Sequence, residues 1–164
     1  MFTHILIPLD GSHLAEAAVP AALELASRFH SKITLLRVTR TPYVASSLDG
    51  GAYAELIVNL RQQEFEEADA YLRMMQRNLQ QQNHRVERLI LEGEPIAQMI
   101  LNVADEEGVD AIVMSTHGRG GVSRWVFGSV ADKVLQQADV PVVLIRATET
   151  VLNWTQPDKM EMKL

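Results

Sequence analysis

Short, unbroken apolar runs alternate along this chain with segments whose apolar positions recur every three or four residues. The runs cover residues 5–9, 33–38, 110–114 and 140–145. Apolarity without alternation marks a strand covered on both faces, as in a parallel sheet. Residues 86–91 instead alternate charged and apolar side chains, the pattern of a strand nearer a sheet edge. Pro8 lies near the end of the first run and Pro141 near the start of the last, where a missing N–H does least harm. Arg37 interrupts the second run and is expected at that strand's exposed end.

The periodic segments read as helices. Ser12 caps the first, whose stripe is Leu14, Ala15, Ala18, Val19, Ala22, Leu25, Ala26 and Phe29. Pro20 falls inside it and predicts a bend in one helix, not two helices, because an interior proline kinks the backbone at a cost of about 3 kcal/mol. A long helix is predicted over about 53–82, with Phe65, Ala68, Leu72, Met75 and Leu79 turned inward and its other faces polar. Pro95 suits the first position of a third helix carrying Ile96, Met99, Ile100, Val103 and Ala104, which Gly108 ends. Beyond Gly128, a fourth stripe holds Val130, Ala131, Val134, Leu135 and Ala138. The order βαβαβαβαβ predicts an α/β domain: an open five-stranded parallel sheet, Rossmann-like, with helices on both faces and right-handed crossovers.

Two segments lack periodicity. Residues 39–52 carry Pro42, Ser46, Ser47, Gly50 and Gly51, and are as compatible with a working loop as with a passive insertion. The tail, residues 147–164, has scattered apolar positions and is expected to be loosely held or to pack on a partner subunit. The remaining 1–146 make one domain, which suits a chain of 164 residues.

Charge and composition narrow the chemistry. A formal net charge of -6 argues against nonspecific binding to nucleic acid or to acidic membranes. The absence of cysteine excludes disulfides, thiol catalysis and cysteine-held metals. The first residues do not resemble a signal peptide, and no apolar run approaches the roughly 20 residues of a membrane span. The expected location is the cytoplasm.

Residues 115–129, STHGRGGVSRWVFGS, hold the clearest candidate chemistry. Glycines at 118, 120, 121 and 128 let the backbone approach a ligand, while Arg119, Arg124 and Ser129 add two positive charges and a hydroxyl. A loop of this kind leading into a helix N-terminus suits a phosphate, because amides and helix dipole both favour an anion; a turn-rich connector is the plainer alternative. Ligands of open α/β sheets bind beyond the strands' carboxyl ends where strand order reverses. Asp10 would share that crevice if strands one and four are neighbours, and could accept hydrogen bonds from a base or ribose. Its other reading is a charge well placed at a helix N-terminus. No P-loop lysine motif, no G-x-G-x-x-G after the first strand and no G-x-S-x-G elbow occurs. Histidines 4, 13, 30, 84 and 117 have no metal-ligand spacing, and no catalytic residue is assigned.

Together these residues resemble the universal stress protein family, in its small single-domain, nucleotide-binding branch. The resemblance spans Thr3 to about Arg146 and rests on ILIPLDGS, LLRV, EGEP, THGRGGVSRWVFGS and SVADKVLQQADVPVVLIR. The branch's motif is G-x2-G-x9-G-[ST]; here Ser115, Gly118, Gly128 and Ser129 occupy its fixed positions, with serine in place of the first glycine. The resemblance implies strand order 3-2-1-4-5 and an ATP site, with Mg as an optional companion ion. Pro8 and Asp10 would meet the adenosine and the main chain of Val38 the adenine, with Leu9 also among the nucleotide-binding residues. Gly118, Arg119, Gly120, Gly128, Ser129 and Val130 would make the phosphate-holding loop and helix start, with Ser115 at the ribose and Met114 also among the nucleotide-binding residues. It also implies a homodimer through residues 140–146, Val140 and Arg146 being its ends, and a role in stress response or signalling with a further protein partner. A nucleotide-free dimeric interaction protein and a slow ATPase or phosphotransferase are the competing readings.

Overall fold

The structure, a computed structural model, describes residues 2–40, 50–116 and 128–147, with only the backbone of residues 50 and 51. The expectations placed on the 41–49 segment, on 117–127 and on the tail from 148 onward lie outside the described residues.

Five parallel strands form one sheet in the order β3-β2-β1-β4-β5. They are β1 (His4–Pro8), β2 (Lys32–Thr39), β3 (Arg85–Glu92), β4 (Ala111–Ser115) and β5 (Val142–Ile145). The predicted order 3-2-1-4-5 is therefore the observed one, and β1 and β4 are neighbours. Three of the four uninterrupted apolar runs became the central strands β2, β1 and β4, whose faces are both covered; the fourth, 140–145, became the edge strand β5, whose residues are half-buried. Ile5, Leu6 and Ile7 of β1 are fully buried, as are Ile112 and Val113 of β4. Successive side chains leave the sheet on opposite faces and enter two cores. One joins Ile5, Ile7, Ile33, Leu35 and Val113 to α2 (Val19–Phe29) and α3 (Gly50–Gln81). The other joins Leu6, Leu36 and Ile112 to α4 (Ile96–Glu106) and α5 (Ser129–Gln137).

The first helical segment departs from expectation. Instead of one helix bent at Pro20 there are two: α1 (His13–Glu16) ends, Ala17 and Ala18 turn, and α2 begins at Val19. Pro20 thus sits in the first turn of α2, where its fixed φ suits the helix and its missing N–H would have had no partner anyway. Pro95 is the N-cap of α4, one position before the predicted one. Phe65 is not inward; it is 50% exposed, while Ala68, Leu72, Met75 and Leu79 are buried as predicted.

Arg37 does not lie at an exposed strand end. It is two residues short of the end of β2 and half-buried, with Nε and Nη1 of its guanidinium inaccessible to solvent. The 32 residues of α3 span about 48 Å at 1.5 Å per residue. The eight-residue β2 and β3 reach only about 26 Å, so the helix overruns the sheet. Near its middle, Asp69 pairs with Arg73 on the same helix and with Arg88 of β3, fixing α3 over that edge.

Candidate functional site

Strand order reverses between β1 and β4, since β2 and β3 lie on one side and β4 and β5 on the other. Proline opens the seam there. The amide of Leu9 donates to Leu36 O at 2.8 Å, so odd positions of β1 face β2 and Pro8 faces β4. With no N–H to give, Pro8 cannot continue the ladder, and β1–β4 pairing stops at Leu6 opposite Ile112.

The same alternation places two main-chain segments over the end of β1. Leu36 faces β1, so Val38, two residues on, aims its N–H and C=O to that side, whereas β1 pairs with β2 only as far as Pro8 opposite Leu36. On β4, the amides of Ile112 and Thr116 donate to Pro141 O and Ile145 O of the outer strand segment, at 2.9 Å each. Ser115 therefore turns its main chain toward β1, beyond the last β1–β4 register pair, Leu6 opposite Ile112.

Beyond Pro8 the chain makes a tight turn. Asp10 Oδ1 accepts from the Ser12 amide at 2.9 Å and from Ser12 Oγ at 2.6 Å, while Ser12 Oγ accepts from the Ala15 amide at 3.2 Å. Gly11 has φ 80°, a conformation that glycine takes without strain. Asp10 is thus an architect of the turn as well as a candidate contact. Leu9 and Met114, by contrast, have buried side chains that pack in the cores, so they can offer a ligand little beyond main chain.

At the other side of the crevice, the Gly128 amide donates to Thr116 O at 2.8 Å and brings the start of α5 against the end of β4. Gly128 is the N-cap of α5 and makes no side-chain cap, so the amides of the first turn, beginning at Ser129, are directed outward with the positive end of the helix dipole. Ser129 is exposed and Val130 half-buried. Gly118, Arg119 and Gly120, with His117 and Arg124, lie outside the described residues.

Ser115 occupies the motif position expected to be glycine. It is buried, belongs to β4 and pairs in register with Ile145. Its backbone is extended, and the positive-φ residues of other types are His30 and Asn83 among the described residues. No left-handed conformation requires glycine at 115.

A polar group beside the turn was not legible in the sequence. Glu16 is only 6% exposed, and its carboxylate accepts from the Tyr71 hydroxyl of α3 at 3.0 Å and lies 3.3 Å from His13 Nδ1. Burial raises the Tyr71 hydroxyl well above its ordinary range, Glu16 and Asp10 push the same way, and Arg37 opposes them. The one signal was a glutamate set among alanines in HLAEAAV. Between this group and α3 lies a cavity of about 120 Å³ lined by Gly11, Arg37, Glu64, Glu67, Ala68 and Tyr71. A larger groove, about 630 Å³, runs along the outer face of α3 between Gln62 and Gln81. It is the furrow between two rows of side chains spaced four residues apart, remote from the strand ends.

Residues 1–146 match the universal stress protein family. Universal stress protein YxiE of Bacillus subtilis is 33% identical over 149 residues, covering 89% of this chain and all of that protein. Universal stress protein MJ0531 of Methanocaldococcus jannaschii is 31% identical over 147 residues, covering 89% of this chain and 83% of its own length. Among solved structures, universal stress protein UspA from Lactobacillus plantarum superposes with a TM-score of 0.76 at 26% identity, over 88% of this chain and 98% of that one.

Proposed function

The chain belongs to the universal stress protein family, and on that premise we propose that it binds ATP in the crevice over β1 and acts in stress response or signalling as a nucleotide-dependent dimer. The observation that carries this reading is the convergence at the switch point. Pro8 ends the β1–β4 ladder, and the main chains of Val38 and Ser115 turn toward the opened space. The α5 N-terminus, without a side-chain cap, stands beside the end of β4. A base suits main-chain donors and acceptors at β2, and phosphates suit the helix amides and the 117–127 glycines and arginines. Mg would accompany the triphosphate, held through its oxygens.

The dimer contact of this reading is β5. Ligand released from freshly purified protein, identified by mass spectrometry, tests the nucleotide directly. ATP in the released fraction, together with a thermal shift on adding ATP, is the expected result; protein without nucleotide and without a shift overturns the reading.

The alternative of a nucleotide-free interaction protein draws on Ser115 alone. The extended backbone at that position removes the conformational part of its support. The cytoplasm remains the proposed location; among the described residues no helix is long and apolar enough to cross a membrane.

A further inference from the structure

The turn that carries Asp10 leads into a helix that cannot brace it unaided. With four residues, α1 is too short to hold its own shape in water, and the chain turns again at Ala17 and Ala18. The last residue of α1, however, is tied to the 32-residue α3. Glu16 is buried, and its Oε1 accepts from the Tyr71 hydroxyl at 3.0 Å. Burial keeps that hydroxyl protonated and so a lasting donor. Two residues earlier on α3, Asp69 pairs with Arg88 of β3, which anchors this stretch of the helix to the sheet. Back toward β1 the hydrogen bonds continue without a gap. The Glu16 amide donates to Ser12 O at 3.2 Å, and the amide and hydroxyl of Ser12 both donate to Asp10 Oδ1. A buried carboxylate adds little net stability even when paired, because its desolvation offsets most of the gain. What a satisfied buried network contributes is one fixed geometry.

We propose that Tyr71 and Glu16 form a positioning pair for the nucleotide crevice, holding the Asp10 turn in its binding geometry from α3 and passing the occupancy of that turn back to the helix. The inference rests on the nucleotide reading above and adds to it the route by which the bound state reaches an outer surface. Neither residue is among the expected ligand contacts; both stand behind the turn and act through it. A ligand held by Asp10 restrains Ser12 and α1, and through Glu16 it restrains the middle of α3. That helix presents Val58, Phe65 and Met74 to solvent, so a change in its local stability alters a face that another molecule can meet.

Amide hydrogen exchange on the full chain with and without ATP, alongside titration calorimetry, tests the pair. In the wild type, ATP should slow exchange in α3 around Tyr71 as well as at the start of α5. Tyr71→Phe keeps the ring against the core and removes only the hydroxyl. It should weaken ATP binding by about fivefold or more, an ordinary size for coupling between separate positions, and abolish the ATP-dependent protection of α3 while that of α5 remains. Glu16→Gln keeps an acceptor for the Tyr71 hydroxyl and should retain protection in both helices. A purely structural role would lower protection in both helices alike. That result, wild-type affinity with α3 protection in Tyr71→Phe, or a Glu16→Gln variant as impaired as Tyr71→Phe, overturns the pair while leaving the ATP reading intact. A wild type that binds no ATP overturns both.

Discussion

Ser115 bears the departure from the family motif, and its consequences are local. In an extended strand a serine costs nothing in backbone conformation, whereas glycine loses more chain entropy on folding. Ser115→Gly is therefore expected to lower stability by about 0.5–1 kcal/mol in urea titration, with ATP affinity held within about threefold of the wild type by calorimetry. A large gain in affinity on restoring the glycine would show that the serine side chain obstructs the ligand. His4 is a second residue with a readable role. Glu107 O can only accept, so Nδ1 carries the hydrogen at 3.2 Å and Nε2 accepts from Thr34 Oγ1 at 2.8 Å, which satisfies the neutral ring. Burial, then the charge of Lys32, lowers its pKa below the ordinary 6.5, against smaller opposing contributions from Glu107 and Glu87. Between the folded value and 6.5 the unfolded chain binds the extra proton, so this contribution is complete above 6.5 and is lost as pH falls through 6.5 and the folded value. Urea midpoints should decline over that window, and His4→Gln should flatten the decline.

Among the elements, the two sheet edges contrast. β3 carries Arg85, Glu87, Arg88 and Glu92, charges that discourage pairing with another chain. β5, VVLI, has none. Because Pro141 and Ile145 turn their carbonyls to β4, the N–H and C=O of Val142 and Leu144 point to the open side. If two copies meet there, Val142→Pro removes an outward donor without touching a bond to β4. The expected outcome is a shift from dimer to monomer in size-exclusion chromatography with light scattering, while the circular dichroism of the fold is retained; an unchanged dimer would place the contact elsewhere. Element by element, the runs at 5–9, 33–38 and 110–114 were legible because an all-apolar strand is best placed in a sheet covered on both faces, whereas the equally apolar β5 lies half-buried at an edge. The split of α1 from α2 was not, since Pro20 is acceptable in a first turn and costly in an interior, and only the packing of Ala17, Ala18 and Val19 against the sheet decides which it is. Phe65 follows the same logic: a helical stripe says which residues share a face, not where the sheet beneath that face ends.

At the scale of the whole molecule, parallel strands bring the β1 turn, the end of β2 and the β4–α5 connection to one edge. A ligand spanning them stabilises the folded chain by mass action. ATP at 100 times its dissociation constant should add about 2.7 kcal/mol, roughly 5–10 °C in melting temperature for a domain of this size. A scan showing no displacement at millimolar ATP would remove the nucleotide from the account.

By itself the sequence determined the class of fold, the membership of its strands, and the loop spacing that points to phosphate, because these follow from local periodicity and from glycine's conformational freedom. The tertiary structure alone decided that Pro8 opens the β1–β4 seam, that Ser115 sits in a strand, and that Arg37 and Glu16 are drawn beneath α3. Those outcomes depend on which strand lies beside which and in what register, and residues far apart in sequence acquire that relation only when the sheet closes around them.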